Sequence, residues 1–295
     1  MKFQIRSRTW LMLGTALVLG ACSAIKLGYN NSATFAHTYL TSKVDFDSDQ
    51  SALMKTSLRG LVEWHRNNEL PLLAEELQKA RLVLAPRGEN LQPVTAAQVN
   101  ALNQAIRTSL RRTADEAAPV IAKNMLGLWP NQISDIQEAL NKSNQDYREK
   151  RMASNAAERV EKSVERMAER FERWLGDLNP KQMARIEQWA KSAANNPEQN
   201  YEKRLKRQQV FMQLVSQSAN RQIDQATLTR EVSQLLNDWQ TPGNASEKKD
   251  FELRQQAVVD LVVDVLNAAN MQQRNNAAER AASWAEDFQI LASKQ

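Results

Sequence analysis

The sequence has one cysteine, two histidines, eight glycines and eight prolines in 295 residues. A solitary cysteine excludes an internal disulfide framework and a thiolate zinc cluster. The two histidines, His37 and His65, are too few for a histidine-rich metal centre. Scarce glycine leaves no phosphate-cradling loop, and no serine stands in a glycine-flanked nucleophile elbow. Carboxylates are abundant, but they are spread along the chain and no pair is singled out for acid and base roles. These absences argue for a protein that is not an enzyme, with no cofactor and no metal site.

What is present is helix-forming. Ala, Gln, Glu, Leu, Lys and Arg dominate, the residues that lose least on entering a helix. With 42% hydrophobic and 25% charged residues the chain can bury a core and lies far from the composition of disordered chains. The expectation is an all-α protein, an elongated multi-helix bundle with a folded, water-soluble body. One body or two poorly separated ones both fit the length.

The net charge of +5 is concentrated at the start of the chain. Lys2, Arg6 and Arg8 precede an apolar stretch from Trp10 to Leu19, and Leu19-Gly20-Ala21-Cys22 follows. Basic, apolar and small-residue parts in that order read as a secretory signal. The apolar part falls well short of the ~20 residues that span a hydrocarbon core. Without the three leader cations the chain is close to neutral, so charge balance points to no nucleic-acid partner. The basic run Lys203, Arg204, Lys206 and Arg207 is short and interrupted, and reads as a solvated helix face.

Leu19-Gly20-Ala21-Cys22 resembles the lipobox of bacterial lipoproteins. That resemblance implies cleavage before Cys22, diacylglycerol on its sulfur, fatty acid such as palmitate on the new amino group, and a membrane partner held through the anchor. Several acyl chains, at about 0.8 kcal/mol per buried methylene, anchor stably where one is marginal. Ser23, in place of the aspartate that signals inner-membrane retention, implies the outer membrane, facing the periplasm. The expected organisation is therefore a leader over 1–21, a lipidated cysteine and linker over 22–49, and a helical domain over 50–295.

Along the body, apolar periodicity and start signals predict successive helices. Phe35, Tyr39 and Val44 could line one side of a weak helix in the linker. Pro71 predicts a break near Asn68 to Leu70, and Pro86, Gly88 and Pro93 mark a loop. Thr95 with Gln98 reads as a capping box that opens a long helix, bent at Pro119. Further helices are expected from Pro130 to Met152, Asn155 to Leu175, Asn179-Pro180 onward, Pro197 to Ala219, Asp224 to Trp239, Glu247 to Ala269 and Arg274 to Ala292. Val160, Val164, Met167, Phe171 and Trp174 form a narrow seam of the coiled-coil kind. The stretch from Val258 to Leu266 is apolar nearly all round and is expected to be the central buried helix, with Asp260 and Asp264 facing solvent or basic partners. Leu128-x-Pro-x-Gln132-x-x-x-Ile136 echoes Leu178-x-Pro-x-Gln182-x-x-x-Ile186, and the ordinary demands of a helix start account for the echo.

The most unusual string is Trp64-His65-Arg66-Asn67-Asn68-Glu69-Leu70-Pro71. His65 and Glu69 are one helical turn apart and could orient a metal or a water, but a histidine and a carboxylate make an incomplete site. The stronger reading is structural or binding: Trp64 buried, and Arg66 or His65 bonded to carbonyls freed where Pro71 cannot donate.

This string, with Ile25, Leu27, Gly28, Tyr29 and Asn30 after the lipobox, Val44-Asp45 with Gln50, and Trp174-Leu175-Gly176 with Gln182, resembles a group of Gram-negative lipoproteins, the domain-of-unknown-function 6279 proteins. The resemblance implies a helical lipoprotein and supplies no activity. The repeated helix starts also resemble the Leu-Thr-x-x-Gln repeats of Spy-type periplasmic chaperones, with Trp129 or Asn179 in place of the threonine. The expected function is a non-enzymatic binding or structural component of the cell envelope with an envelope protein partner. The alternatives are a chaperone for unfolded clients and a metal-dependent enzyme centred on His65 and Glu69.

Overall fold

The computed structural model describes residues 25–88, 90–152, 155–192, 197–238 and 245–293. Cys22 and the leader lie outside the described residues, as does Trp239. The architecture is all-α, as the composition requires: a multi-helix bundle with no strand among the described residues. The helices are α1 (Ser32–Thr41), α2 (Ser48–Asn68), α3 (Leu70–Leu84), α4 (Ala96–Leu126), α5 (Gln132–Tyr147), α6 (Ala156–Leu175), α7 (Pro180–Ser192), α8 (Pro197–Ala219), α9 (Gln225–Asn237), α10 (Ala245–Asn267) and α11 (Met271–Ser293). A π-helical turn, Arg148–Met152, extends α5.

Most boundaries follow local chemistry. Asp47, Thr95, Asn155 and Asp224 cap α2, α4, α6 and α9 with their side-chain oxygens. The α2–α3 break falls at Glu69, immediately before the Leu70-Pro71 start of α3. Gly176 ends α6 at φ 80°, a conformation that favours glycine, and a Cβ there would lie 3.2 Å from Asn276 Nδ2.

Two hydrophobic clusters hold the bundle. One joins α3, α6, α7, α10 and α11 through Leu84, Phe171, Leu175, Ile186, Leu261 and Val265. The other joins α4, α8 and α9 through Ala122, Met125, Val215, Leu228 and Val232. The expected seam of α6 does face inward, with Phe171 buried and Val164, Met167 and Trp174 packed beside the first cluster.

The valine-rich stretch of α10 is not the central helix. Val259, Leu261 and Val265 are buried, but Val258 is exposed and Asp264 pairs at the surface with Arg185 at 2.6 Å. The more deeply buried helix is α11, which packs along α3 and buries Ala277, Ala278, Ala281, Ala285 and Leu291. Small alanines let two backbones approach closely, and a reading weighted by hydropathy ranks them below valine.

Arg274 of α11 is 1% exposed and pairs with no carboxylate among the described residues. Its guanidinium donates to the carbonyls of Val83 (2.8 Å), Leu84 (2.9 Å), Gln92 (3.2 Å) and Leu266 (3.4 Å). Val83, Leu84 and Leu266 lie at helix C-termini, where carbonyls lack helical partners and carry partial negative charge. Burial lowers the Arg274 pKa, and this carbonyl cage is what holds the cation inside.

The glutamine echo has a structural basis beyond capping. Gln132 and Gln182 are 1% and 0% exposed, and each accepts the amide three residues before it, from Trp129 at 2.9 Å and from Asn179 at 2.8 Å. Each also exchanges side-chain hydrogen bonds with the corresponding glutamine of a second helix start. Gln50 and Gln132 bond each other at 3.0 and 2.7 Å, and Gln182 and Gln273 at 3.4 and 2.9 Å. The spare donors reach carbonyls before the opposite helix: Gln50 to Gly127, Gln132 to Asp45 and Gln273 to Asp177. The bundle thus contains the same device twice, two helix N-termini locked face to face by paired amides. Helix-start chemistry explains the cap and leaves the burial and the pairing to tertiary structure.

Candidate functional site

The residues of the Trp64–Pro71 string are brought together, but as a clasp. His65 Nδ1 lies 3.0 Å from Tyr29 Oη, which is also 3.3 Å from the Val62 carbonyl. Arg66 donates to Asn30 Oδ1 and to the carbonyl of Leu291, each at 3.0 Å, with its guanidinium 5.4 Å from the Tyr29 ring centroid. The partner carbonyl is therefore near the end of α11, and not one freed by Pro71 as the sequence suggested. Trp64 is half-buried where burial was expected, and Pro71 sits in the first turn of α3.

Glu69 is the most buried member, 1% exposed. Both its oxygens are taken by Arg112 of α4, Nε at 2.7 Å and Nη2 at 2.8 Å, a forked charge-assisted pair. Burial pushes its pKa up, but bonds from Arg112 and Ser109 and the charges of Arg112 and His65 outweigh it, leaving the carboxyl below its ordinary range. Burial lowers the His65 pKa despite the raising effect of Glu69. Burial also pushes the Tyr29 pKa up to about 12, against the lowering effect of Arg66. Among the described residues no three His, Cys, Asp or Glu side chains converge on a point that could hold a metal ion. The geometry here ties parts of the chain together: Lys26 pairs with the buried Asp287 at 3.2 Å, and His37 bonds Ser51 at 2.9 Å. The segment from residue 25 through α1 is thereby fastened to α2 and α11, with Val44 buried and Phe35 and Tyr39 exposed.

A second site was missed in the sequence because three separate elements build it. The π-helical turn supplies Lys150 and Arg151, α6 supplies Arg159, Lys162 and Arg166, and α8 supplies Lys203, Arg204 and Arg207. They line an open groove of about 420 Å³ whose wall includes no carboxylate among the described residues. Of the four cations read as a solvated face, Lys203, Arg204 and Arg207 line this open groove and Lys206 does not. The available signal was spacing: 159, 162 and 166 share one face of α6, and 203 and 207 share one face of α8.

The groove floor is ordered by polar and aromatic contacts. Arg204 bonds Asn144 Oδ1 at 2.8 Å and Ser143 Oγ at 2.7 Å, and Asn144 donates to Gln208 at 2.7 Å. Tyr147 stacks on Tyr201 with centroids 5.7 Å apart, and Arg204 lies over the Tyr147 ring. Burial lowers the Arg166 pKa, and the neighbouring cations Arg151 and Arg170 lower it further while Glu165 raises it.

Among the described residues no helix is long and apolar enough to cross a membrane. No curated protein and no solved structure matches the chain. A family model does match, over residues 42–242, and its description is a family of unknown function, DUF6279. That span ends before α10 and α11, although both helices contribute buried residues to the first core cluster.

Proposed function

The chain belongs to the DUF6279 family, and from that membership, the leader and the clasp we propose that it is a lipid-anchored envelope protein, a non-enzymatic binding or structural component facing the periplasm from the outer membrane. The observation that supports this reading is how soon after Cys22 the chain is fastened to the body. Lys26, already paired with Asp287, lies four residues after Cys22. Four residues reach at most about 14 Å, so lipid on Cys22 would hold the clasp end of the bundle against the bilayer. Exposed Leu27, Phe35 and Tyr39 on the same segment suit an interfacial setting. Mass spectrometry of the N-terminal peptide from cells is the test. Diacylglyceryl and acyl masses on an N-terminal Cys22 are expected, and an unmodified Cys22 on an intact leader would overturn the reading.

A client-binding chaperone is the second reading, favoured by an apolar cleft of about 210 Å³ between α3, α4 and α10, lined by Ala80, Val83, Leu102, Val262 and Leu266. Failure of the purified protein to delay aggregation of an unfolded client would remove it.

A further inference from the structure

We infer that the cationic groove between the π-helical turn, α6 and α8 is a binding site for a compact group carrying two or more phosphates. The inference goes beyond the anchored binding role and does not depend on the anchor.

Three observations carry it. First, every charged side chain lining the groove is basic, and the cations come from three elements that the fold brings together. Keeping like charges adjacent costs free energy in the empty protein, and a bound polyanion recovers it. Lys203 has a distant partner, Glu247 at 3.9 Å, and Arg204 is committed to the floor. Lys150, Arg151, Lys162, Arg166 and Arg207 remain to face a ligand. Second, arginine predominates over lysine, and its planar fork matches phosphate oxygens in pairs. Third, the site is built. The π turn carries Lys150 and Arg151, which line the groove beside α6 and α8, and such turns recur where helices carry function. The bonds of Asn144, Ser143 and Gln208 hold the floor arginine in place.

The dimensions restrict the ligand. At about 420 Å³ the groove exceeds the needs of one phosphate ion. Apart from Tyr147 and Pro197 its wall has little for an acyl chain to pack on, so the recognised part is a head group or a soluble anion. Phosphates on a lipid head group and phosphates on a soluble molecule share this chemistry, and the test separates them.

The full-length protein in nonionic detergent is titrated with tripolyphosphate by calorimetry, with citrate as the carboxylate comparison. In parallel it is mixed with phosphatidylcholine vesicles with or without cardiolipin, whose head group joins two phosphates. Two groove variants are compared, Arg151→Gln with Arg166→Gln, and the more exposed Lys150→Gln with Arg207→Gln. A third, Lys55→Gln with Arg111→Gln, removes the same charge elsewhere, and circular dichroism checks that each is folded. Saturable binding of tripolyphosphate to one site is expected, weakened about tenfold or more by each groove pair and little changed by the third variant. Binding to the cardiolipin-containing vesicles with the same variant pattern, and none to tripolyphosphate, also supports the site and assigns its phosphates to a head group. Equal affinity for citrate overturns the phosphate assignment, and tighter binding of an RNA oligonucleotide through the same residues reassigns the groove. Absence of binding, or equal loss in all three variants, overturns the inference.

Discussion

Gln182 and Gln98 occupy the same place in their helices, three residues after the cap, and both accept the cap amide. They differ in surroundings. Gln98 is exposed, and water replaces its contacts when it is removed. Gln182 is 0% exposed and also donates to the Val265 carbonyl at 3.0 Å while exchanging bonds with Gln273. Gln98→Ala is expected to cost about 0.5–1 kcal/mol, the worth of half a capping box. Gln182→Ala loses the same half-box and takes a partner from the Val265 carbonyl and from Gln273, at about 1–3 kcal/mol each; because Gln273 keeps Asp177, the lower part of that range applies and about 3–4 kcal/mol is expected. Urea unfolding with linear extrapolation measures both, and in thermal unfolding the difference corresponds to roughly 6–10 °C. A cycle with Gln273→Ala should show coupling of at least about 1 kcal/mol. Equal losses for the two single variants, or additivity in the cycle, would refute the claim that the paired amides act as a unit.

Glu69→Gln should destabilise by about 1–2 kcal/mol at neutral pH, discounted because the Arg112 side chain is 43% exposed and can be hydrated. Because the folded Glu69 pKa lies below the ordinary 4.5, its contribution is present above 4.5 and disappears as pH falls through the folded value, so the variant and wild type should converge in acid unfolding curves. His65, depressed from 6.5, adds an earlier loss that starts as pH drops below 6.5, and His65→Gln should flatten that part of the curve. Tyr29 should ionise near pH 12 in a wild type minus Tyr29→Phe near-ultraviolet titration, its stabilisation being full below 10 and lost as pH rises through about 12; a midpoint at 10 would contradict its burial. Arg274→Lys should fail to rescue stability, because one ammonium cannot fan donors to carbonyls of three segments; a loss of about 3 kcal/mol or more is expected by urea titration, and wild-type stability would count against the carbonyl cage.

Helix boundaries were largely legible because their signals are local. Asn155, Thr95 and Pro71 each fix a start within one turn, and α8 runs from Pro197 to Ala219 as its pattern predicts. Packing was less legible. Nothing near Arg274 in sequence announces that carbonyls about 190 residues earlier will enclose it. The valine run of α10 outweighed the alanines of α11 because hydropathy measures transfer from water and not how closely two helices can approach. The Trp64–Pro71 string is conspicuous in the sequence, but its partners, Tyr29, Asn30, Arg112 and Leu291, lie on other elements. The groove divides the same way: the spacing of cations on each helix is in the sequence, and their convergence belongs to the fold.

Because α11 fits against α3, the first core cluster cannot close until α11 has been made. Contacts such as Arg274 with Leu84 link residues 190 positions apart, so closure must await a long loop. Until then the face of α3 that α11 covers stays open, and the part of the bundle already made lacks its closing helix.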